Sequence, residues 1–280
     1  MVASLAVACE QAEHATPRLP EGRAGEILAH AIDAAGGWES WASKPGAAFV
    51  STTTISNPAA DTTSETLGLY RFPLHDYGKV RFDSLGLIEA VAVGFDGKDV
   101  WLMRDGRPVT EPGDLTVPRF NVVSTACWFG LPFRLAELPV TITDEGDQSV
   151  EGVPYSRLRV VVKEGAPETP GDWFVIWFDA KSGLIHHLVG HITAPFLSHQ
   201  LWVGFWRDFS HVDGLLIERR RRFFPSDESG KVIGDLVVDQ LVEDVHFERG
   251  ISEDLFQKPT AGGGRSQVVR RAVPDDRREG

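Results

Sequence analysis

The stretch Pro118-Arg119-Phe120-Asn121-Val122-Val123-Ser124-Thr125-Ala126-Cys127-Trp128-Phe129-Gly130-Leu131-Pro132-Phe133 decides how the chain is read. A proline suits a first helical turn, and the residues after it predict a helix from about 118 to 130 that is apolar on most of its circumference. Such a helix has to be covered on more than one side. On both sides of it the hydrophobic period is two. Upstream, strands are predicted over 47–56, 65–72, 78–84, 89–95 and 98–103, with Asp96-Gly97 as a hairpin turn. Downstream they are predicted over 139–145, 153–163, 173–178, 184–193, 200–209, 215–224 and 232–247. Within the third of these, Trp173-Phe174-Val175-Ile176-Trp177-Phe178 is apolar on both faces, as a strand covered on both sides is. One amphipathic helix is expected over 22–36, stopped by Gly36-Gly37. A short turn follows at Trp38 and Trp41, and a last helical turn is expected from Ser252 to Phe256. The fold class is therefore mainly β (α+β), an antiparallel meander curved around one very apolar helix.

The 280 residues are 42% hydrophobic, 24% charged and 10% aromatic, close to the globular average. That composition excludes a mostly disordered chain, a collagen-like fibre and a multispan membrane protein. No stretch reaches the ~18 apolar residues of a membrane-spanning helix. The formal net charge of −12 argues against nucleic acid as a partner, because phosphate binding needs a positive field. One domain is expected over 21–260, after a linker at 1–20. From Ala261 onward the chain is Gly-rich and then charged, and a disordered tail is expected. Two cysteines, Cys9 and Cys127, stand too far apart in character for a disulfide and lack zinc-knuckle spacing.

The first residues, Met1-Val2-Ala3-Ser4-Leu5-Ala6-Val7-Ala8-Cys9, place small and apolar side chains before a cysteine, and a polar run follows it. This resembles the end of a bacterial lipoprotein signal, with Cys9 as the lipidated residue and an anchor to the membrane. The leader is shorter than the roughly 15–30 residues of a working signal and has no positive start. An ordinary apolar N-terminus, and with it a cytoplasmic protein, is the other reading.

Five segments carry a wider resemblance. They are Leu131-Pro132-Phe133-Arg134-Leu135, Val150-Glu151-Gly152-Val153-Pro154-Tyr155, Gly171-Asp172-Trp173, Phe178-Asp179-Ala180-Lys181-Ser182-Gly183-Leu184-Ile185 and Asp213-Gly214-Leu215-Leu216. Their order and spacing over roughly residues 22–259 resemble a family of uncharacterised bacterial lipoproteins, related in fold to the lipoprotein-localisation carriers LolA and LolB. The resemblance implies an open antiparallel half-barrel, with an N-terminal helix and the apolar helix plugging the concave face. It implies a periplasmic or envelope location and a cavity for acyl chains, and it carries no catalytic residues and no cofactor.

The candidate lining for a lipid or other hydrophobic ligand is Trp101, Phe120, Trp128, Phe129, Phe133, Trp173, Trp177, Trp202 and Trp206. Rings of this kind equally fill cores. A non-catalytic carrier or sensor and a ligand-free structural or interaction module of the envelope are thus the two leading readings. A cavity under about 300 Å³ would favour the second.

A small enzyme using His and Asp on strands 184–211 is a third reading. His187 and His191, four apart on a strand, stand roughly 13 Å apart, too far to share a metal. A mixed-strand site from His191 with His199 or His211 is the remaining metal arrangement, and no metal is assigned. Asp208 with His211, and Ser198 before His199, lack a nucleophile elbow, and Cys127 among rings reads as packing. The run Arg219-Arg220-Arg221-Arg222 alternates faces on a strand. It reads first as charge-paired with Asp239, Glu243 or Asp244, and second as a contact for anionic head groups at a cavity rim.

Overall fold

The computed structural model describes residues 16–57, 60–76, 78–86, 89–166, 171–194, 197, 200–248 and 251–259. Three helices, α1 (Arg23–Ala34), α2 (Trp38–Ala42) and α3 (Pro112–Trp128), accompany one large antiparallel sheet. The first six strands form a meander, β1 (Gly46–Asn57), β2 (Thr62–Pro73), β3 (Lys79–Ser84), β4 (Val91–Asp96), β5 (Val100–Arg104) and β6 (Arg107–Val109). A second meander holds β7 (Val140–Val150), β8 (Val153–Val162), β9 (Trp173–Asp179), β10 (Ile185–His191), β11 (Leu201–Arg207) and β14 (Arg220–Ser226). The last strand, β15 (Val238–Glu248), joins them, so the order across the 13 strands is β6-β5-β4-β3-β2-β1-β15-β14-β11-β10-β9-β8-β7. The sheet does not close: β6 and β7 are its two edges. A small hairpin, β12 (Ser210–Val212) with β13 (Leu215–Ile217), stands outside it. This is the curved meander expected from the period-two pattern and the apolar helix, and the open half-barrel that the resemblance implies.

α3 begins earlier than expected. Pro112 opens it, and Pro118 lies inside it. The missing Pro118 N–H removes one helical hydrogen bond, in a turn where Asp114, whose carbonyl would have accepted it, is exposed. Only the second half of α3 is enveloped, through Val122, Val123, Thr125, Ala126 and Cys127. These pack with Phe49, Phe72, Phe82, Val93 and Leu102 from the concave side of β1 to β5.

α1 buries Leu28, Ala31 and Ile32, and its Arg23 pairs with Asp144 and Asp147 on the edge strand β7. α2 contributes Trp41, fully buried and stacked on Phe133 at 4.8 Å. Across the sheet's other face the chain after β15 returns as a strap. Phe256 is buried there, its carbonyl accepts the Trp101 indole N–H at 2.7 Å, and Lys79 pairs with Glu253.

The expected strand 200–209 is shorter, and 215–224 is two strands. The chain leaves the sheet to make the β12–β13 hairpin, and Glu218 and Arg219 form the corner before β14. Cys9, His199 and the tail from 261 lie outside the described residues.

Candidate functional site

Between α3 and the concave face lies a cavity of about 260 Å³. Burial along the inward positions of β1 sets its orientation. Phe49 and Ser51 are 0% and 1% exposed and Ile55 is 37% exposed. The cavity therefore opens toward the β1–β2 turn and closes near Phe49. Its walls are the rings and aliphatic side chains of Phe82, Val93, Phe120, Val122, Trp128 and Trp202, among others. Gly68 on β2 lets the Phe82 ring lie flat on the strand, since a Cβ there would stand 1.9 Å from the ring.

At the closed end the surface becomes polar, through Thr53, Tyr70, Thr125 and Gln240. Behind it sits a fully buried ion pair. The Arg221 guanidinium donates to Glu218 Oε1 at 2.6 and 3.0 Å, to Gln240 Oε1 at 3.0 Å and to the Thr125 carbonyl of α3 at 3.3 Å. Gln240 in turn donates from Nε2 to Thr53 Oγ1 at 3.1 Å and Thr125 Oγ1 at 3.3 Å. Burial pushes the Glu218 carboxyl above the usual carboxylate range, opposed by Arg221. Burial also pushes the Tyr70 phenol up to about 12, opposed by Thr125 and Arg221, so it is neutral.

Three of the nine predicted lining residues, Phe120, Trp128 and Trp202, line this cavity. Trp128 meets Phe174 edge-on at 4.9 Å and Trp206 at 5.8 Å, so Trp206 is a fully buried second layer behind it. Phe129 packs on Phe49 and Phe72, and Phe133 on Trp41, in the core beyond the closed end. Trp101, Trp173 and Trp177 are on the convex face. Their strand neighbours Leu102, Phe174, Ile176 and Phe178 take the inward positions, and side chains alternate along a strand. Each of the three rings has a covering cation: Arg81 over Trp101 at 5.3 Å, Arg159 over Trp173 at 4.5 Å and Arg157 over Trp177 at 5.2 Å.

The arginine run divides by face. Arg220 and Arg222 point outward and share Asp239, at 2.6 and 3.3 Å, and hold its carboxyl below the usual range. Arg221 points inward. The period-two pattern of β14 contained this, because Arg221 is the member that falls in step with inward Phe223.

A β-bulge between Ile185 and His187 turns two consecutive histidines to the convex face. Their Nδ1 atoms are 2.7 Å apart, and Arg207 donates to His186 Nε2 at 3.2 Å. Arginine can only donate, so His186 carries its proton on Nδ1 and gives it to His187 Nδ1. His187 then holds its own proton on Nε2. Burial, His186 and Arg207 depress the His187 imidazole to about 3. Asp208 and His211 are both exposed, and His191 is half-buried. Among the described residues no three His, Cys, Asp or Glu side chains converge as metal ligands. Nor is any described helix long and apolar enough to cross a membrane.

No protein family and no curated protein matches the chain by sequence. Solved structures do match by shape. A LolA superfamily protein from Nitrosomonas europaea superposes with a TM-score of 0.53 at 11% identity, covering 87% of this chain and 99% of that one. A DUF1329 family protein from Desulfovibrio piger gives 0.51 at 11% identity, covering 83% and 96%. A domain from Vibrio parahaemolyticus described as outer membrane lipoprotein-sorting gives 0.50 at 10% identity, covering 82% and 94%. The open half-barrel with a helix in its concavity is a LolA-like fold.

Proposed function

We propose that this protein is a non-catalytic envelope protein that binds a lipid acyl chain or a comparable apolar molecule in the half-barrel. The observation that carries the reading is the cavity between α3 and the sheet. It is walled by rings and aliphatic side chains, and no Asp, Glu, Lys, Arg or His stands among its described lining residues. An acyl chain leaving water gains about 0.8 kcal/mol per CH₂. Leaving a bilayer it gains almost nothing, so a carrier has to offer a comparably apolar space, and the lining here is mainly apolar and carries no charge. The structural likeness to a lipoprotein-sorting domain supports the same reading. Lipidation of Cys9 would tether such a carrier to the membrane. Radioactive palmitate incorporated by the wild type and lost in Cys9→Ser tests that part.

One observation favours a second reading. The volume of about 260 Å³ falls just under the roughly 300 Å³ at which ligand pockets begin, which suits a ligand-free interaction module. Under the carrier reading this volume takes one chain segment, and a larger lipid enters only if α3 shifts. Native mass spectrometry of protein purified without detergent from its own envelope, followed by organic extraction, separates the two. A stoichiometric acyl adduct supports the carrier. A clean apo mass that takes up no added fatty acid or phospholipid supports the module.

A further inference from the structure

We infer that the closed end of the cavity is a recognition site for an uncharged oxygen acceptor, an ester or ketone carbonyl, carried by the apolar ligand. The inference rests on the carrier reading and adds to it the chemistry of the ligand's buried end.

The argument follows the direction of the hydrogen bonds. A guanidinium has donors and no acceptor. Arg221 therefore fixes the Gln240 amide with Oε1 toward the guanidinium, at 3.0 Å. Both amide hydrogens must then point the other way, and they do, toward Thr53 Oγ1 and Thr125 Oγ1. Each threonine hydroxyl has an acceptor position filled and keeps its own proton to donate, and Thr53 Oγ1 also lies 3.1 Å from Ser51 Oγ. Tyr70 stands beside them on the lining as a neutral phenol. A neutral phenol has its O–H to donate. Thr53, Tyr70 and Thr125 all line the cavity. The chain starts at a buried cation and ends as hydroxyl donors facing an apolar space, and successive bonds in such a chain polarise one another.

Charge narrows the ligand further. The buried Arg221 charge is balanced by Glu218 at 2.6 Å, and neither residue lines the cavity. The other polar lining side chains, Thr66, Asn121 and Ser124, are uncharged too. An ionised head group at this depth would lose its hydration without gaining a counter-charge. A carbonyl loses less and gains a donor.

The test is displacement of Nile red from the full-length protein by methyl dodecanoate, tridecane and, at about pH 8 where it is ionised, dodecanoate. The ester is expected to bind more tightly than the alkane and the anion. Tyr70→Phe is expected to weaken the ester about three- to tenfold, the loss of one neutral hydrogen bond, and to leave the alkane unchanged. Thr53→Val should show the same selective loss, and unchanged alkane binding certifies an intact cavity in either variant. Equal binding of ester and alkane by the wild type overturns the inference. So does an anion that binds more tightly than the ester, or a Tyr70→Phe effect common to both neutral ligands. A wild type that takes up neither Nile red nor any competitor overturns the carrier reading itself, and the acceptor site with it.

Discussion

Arg221 Nη2 lies 2.6 Å from Glu218 Oε1, with both side chains essentially without solvent exposure. The pair spans the corner where the chain enters β14. Through the Thr125 carbonyl and Gln240 the same guanidinium also touches α3 and β15. Removing one partner from such a pair leaves an uncompensated buried charge, at a cost of about 3–5 kcal/mol. Arg221→Met is expected to lose that much in urea unfolding. The double variant Arg221→Met, Glu218→Gln should recover a large part of it. A double variant no better than the single one would show that the guanidinium's contacts to Thr125 and Gln240 matter more than the charge pair.

His187 makes stability depend on pH in one direction. Its imidazole titrates near 3 in the fold and near 6.5 when unfolded. Between these values the unfolded chain binds the extra proton, so acidification destabilises the fold. The slope for one such group is at most about 1.4 kcal/mol per pH unit. His186 is depressed as well, by burial and by Arg207, and the two rings share one proton between their Nδ1 atoms, so the effect belongs to the pair. Unfolding free energies at pH 7 and pH 5 should converge in His187→Gln relative to the wild type. Parallel losses in both proteins would remove His187 as the source.

Trp128 forms one cavity wall, backed by Phe174 and Trp206. Trp128→Glu puts a carboxylate into that wall while leaving the strand ladders alone. Far-UV circular dichroism is expected to keep its β signature, and binding of a fluorescent fatty acid is expected to fall at least about tenfold, the cost of desolvating a charge beside an acyl chain. Unchanged binding would take the C-terminal half of α3 out of the mechanism.

Gly68 is set by the ring above it. An added Cβ would meet Phe82 Cε2 at 1.9 Å, so Gly68→Ala has to rotate that ring toward the cavity. Overpacking of this kind costs about 1–3 kcal/mol. Both the melting temperature and the uptake of apolar probes should drop. A fall in stability with full uptake would show that Phe82 moves away from the cavity instead.

How much of this was legible in the sequence depends on which forces are local. The two-residue period and the apolar run at 118–130 gave the sheet and its plug, since both are patterns within single segments. The seam was not visible. β15 pairs with β1 through contacts such as Val50 with Glu243, and nothing local marks partners so far apart. The ring assignments divided for a related reason. Trp173 and Trp177 belong to a strand covered on both faces, and alternation alone does not say which face is the core. The covering groups on the convex side, Arg159, Arg157 and His187, come from neighbouring strands. The polar floor was missed because Thr53, Tyr70, Thr125 and Gln240 are dispersed along the chain. Each reads as ordinary until Arg221 aligns them.

The seam at β15 also bears on when the protein can become itself. Residues 46–109 and 140–226 can each begin to fold as they emerge from the ribosome, but β1 and β14 wait side by side for a strand that ends at Glu248. Until that strand arrives, the growing chain has two incomplete shells with exposed edges, which invite binding by a chaperone. A sheet whose interlocking strand follows both of its shells in the chain stays unjoined until that strand is made.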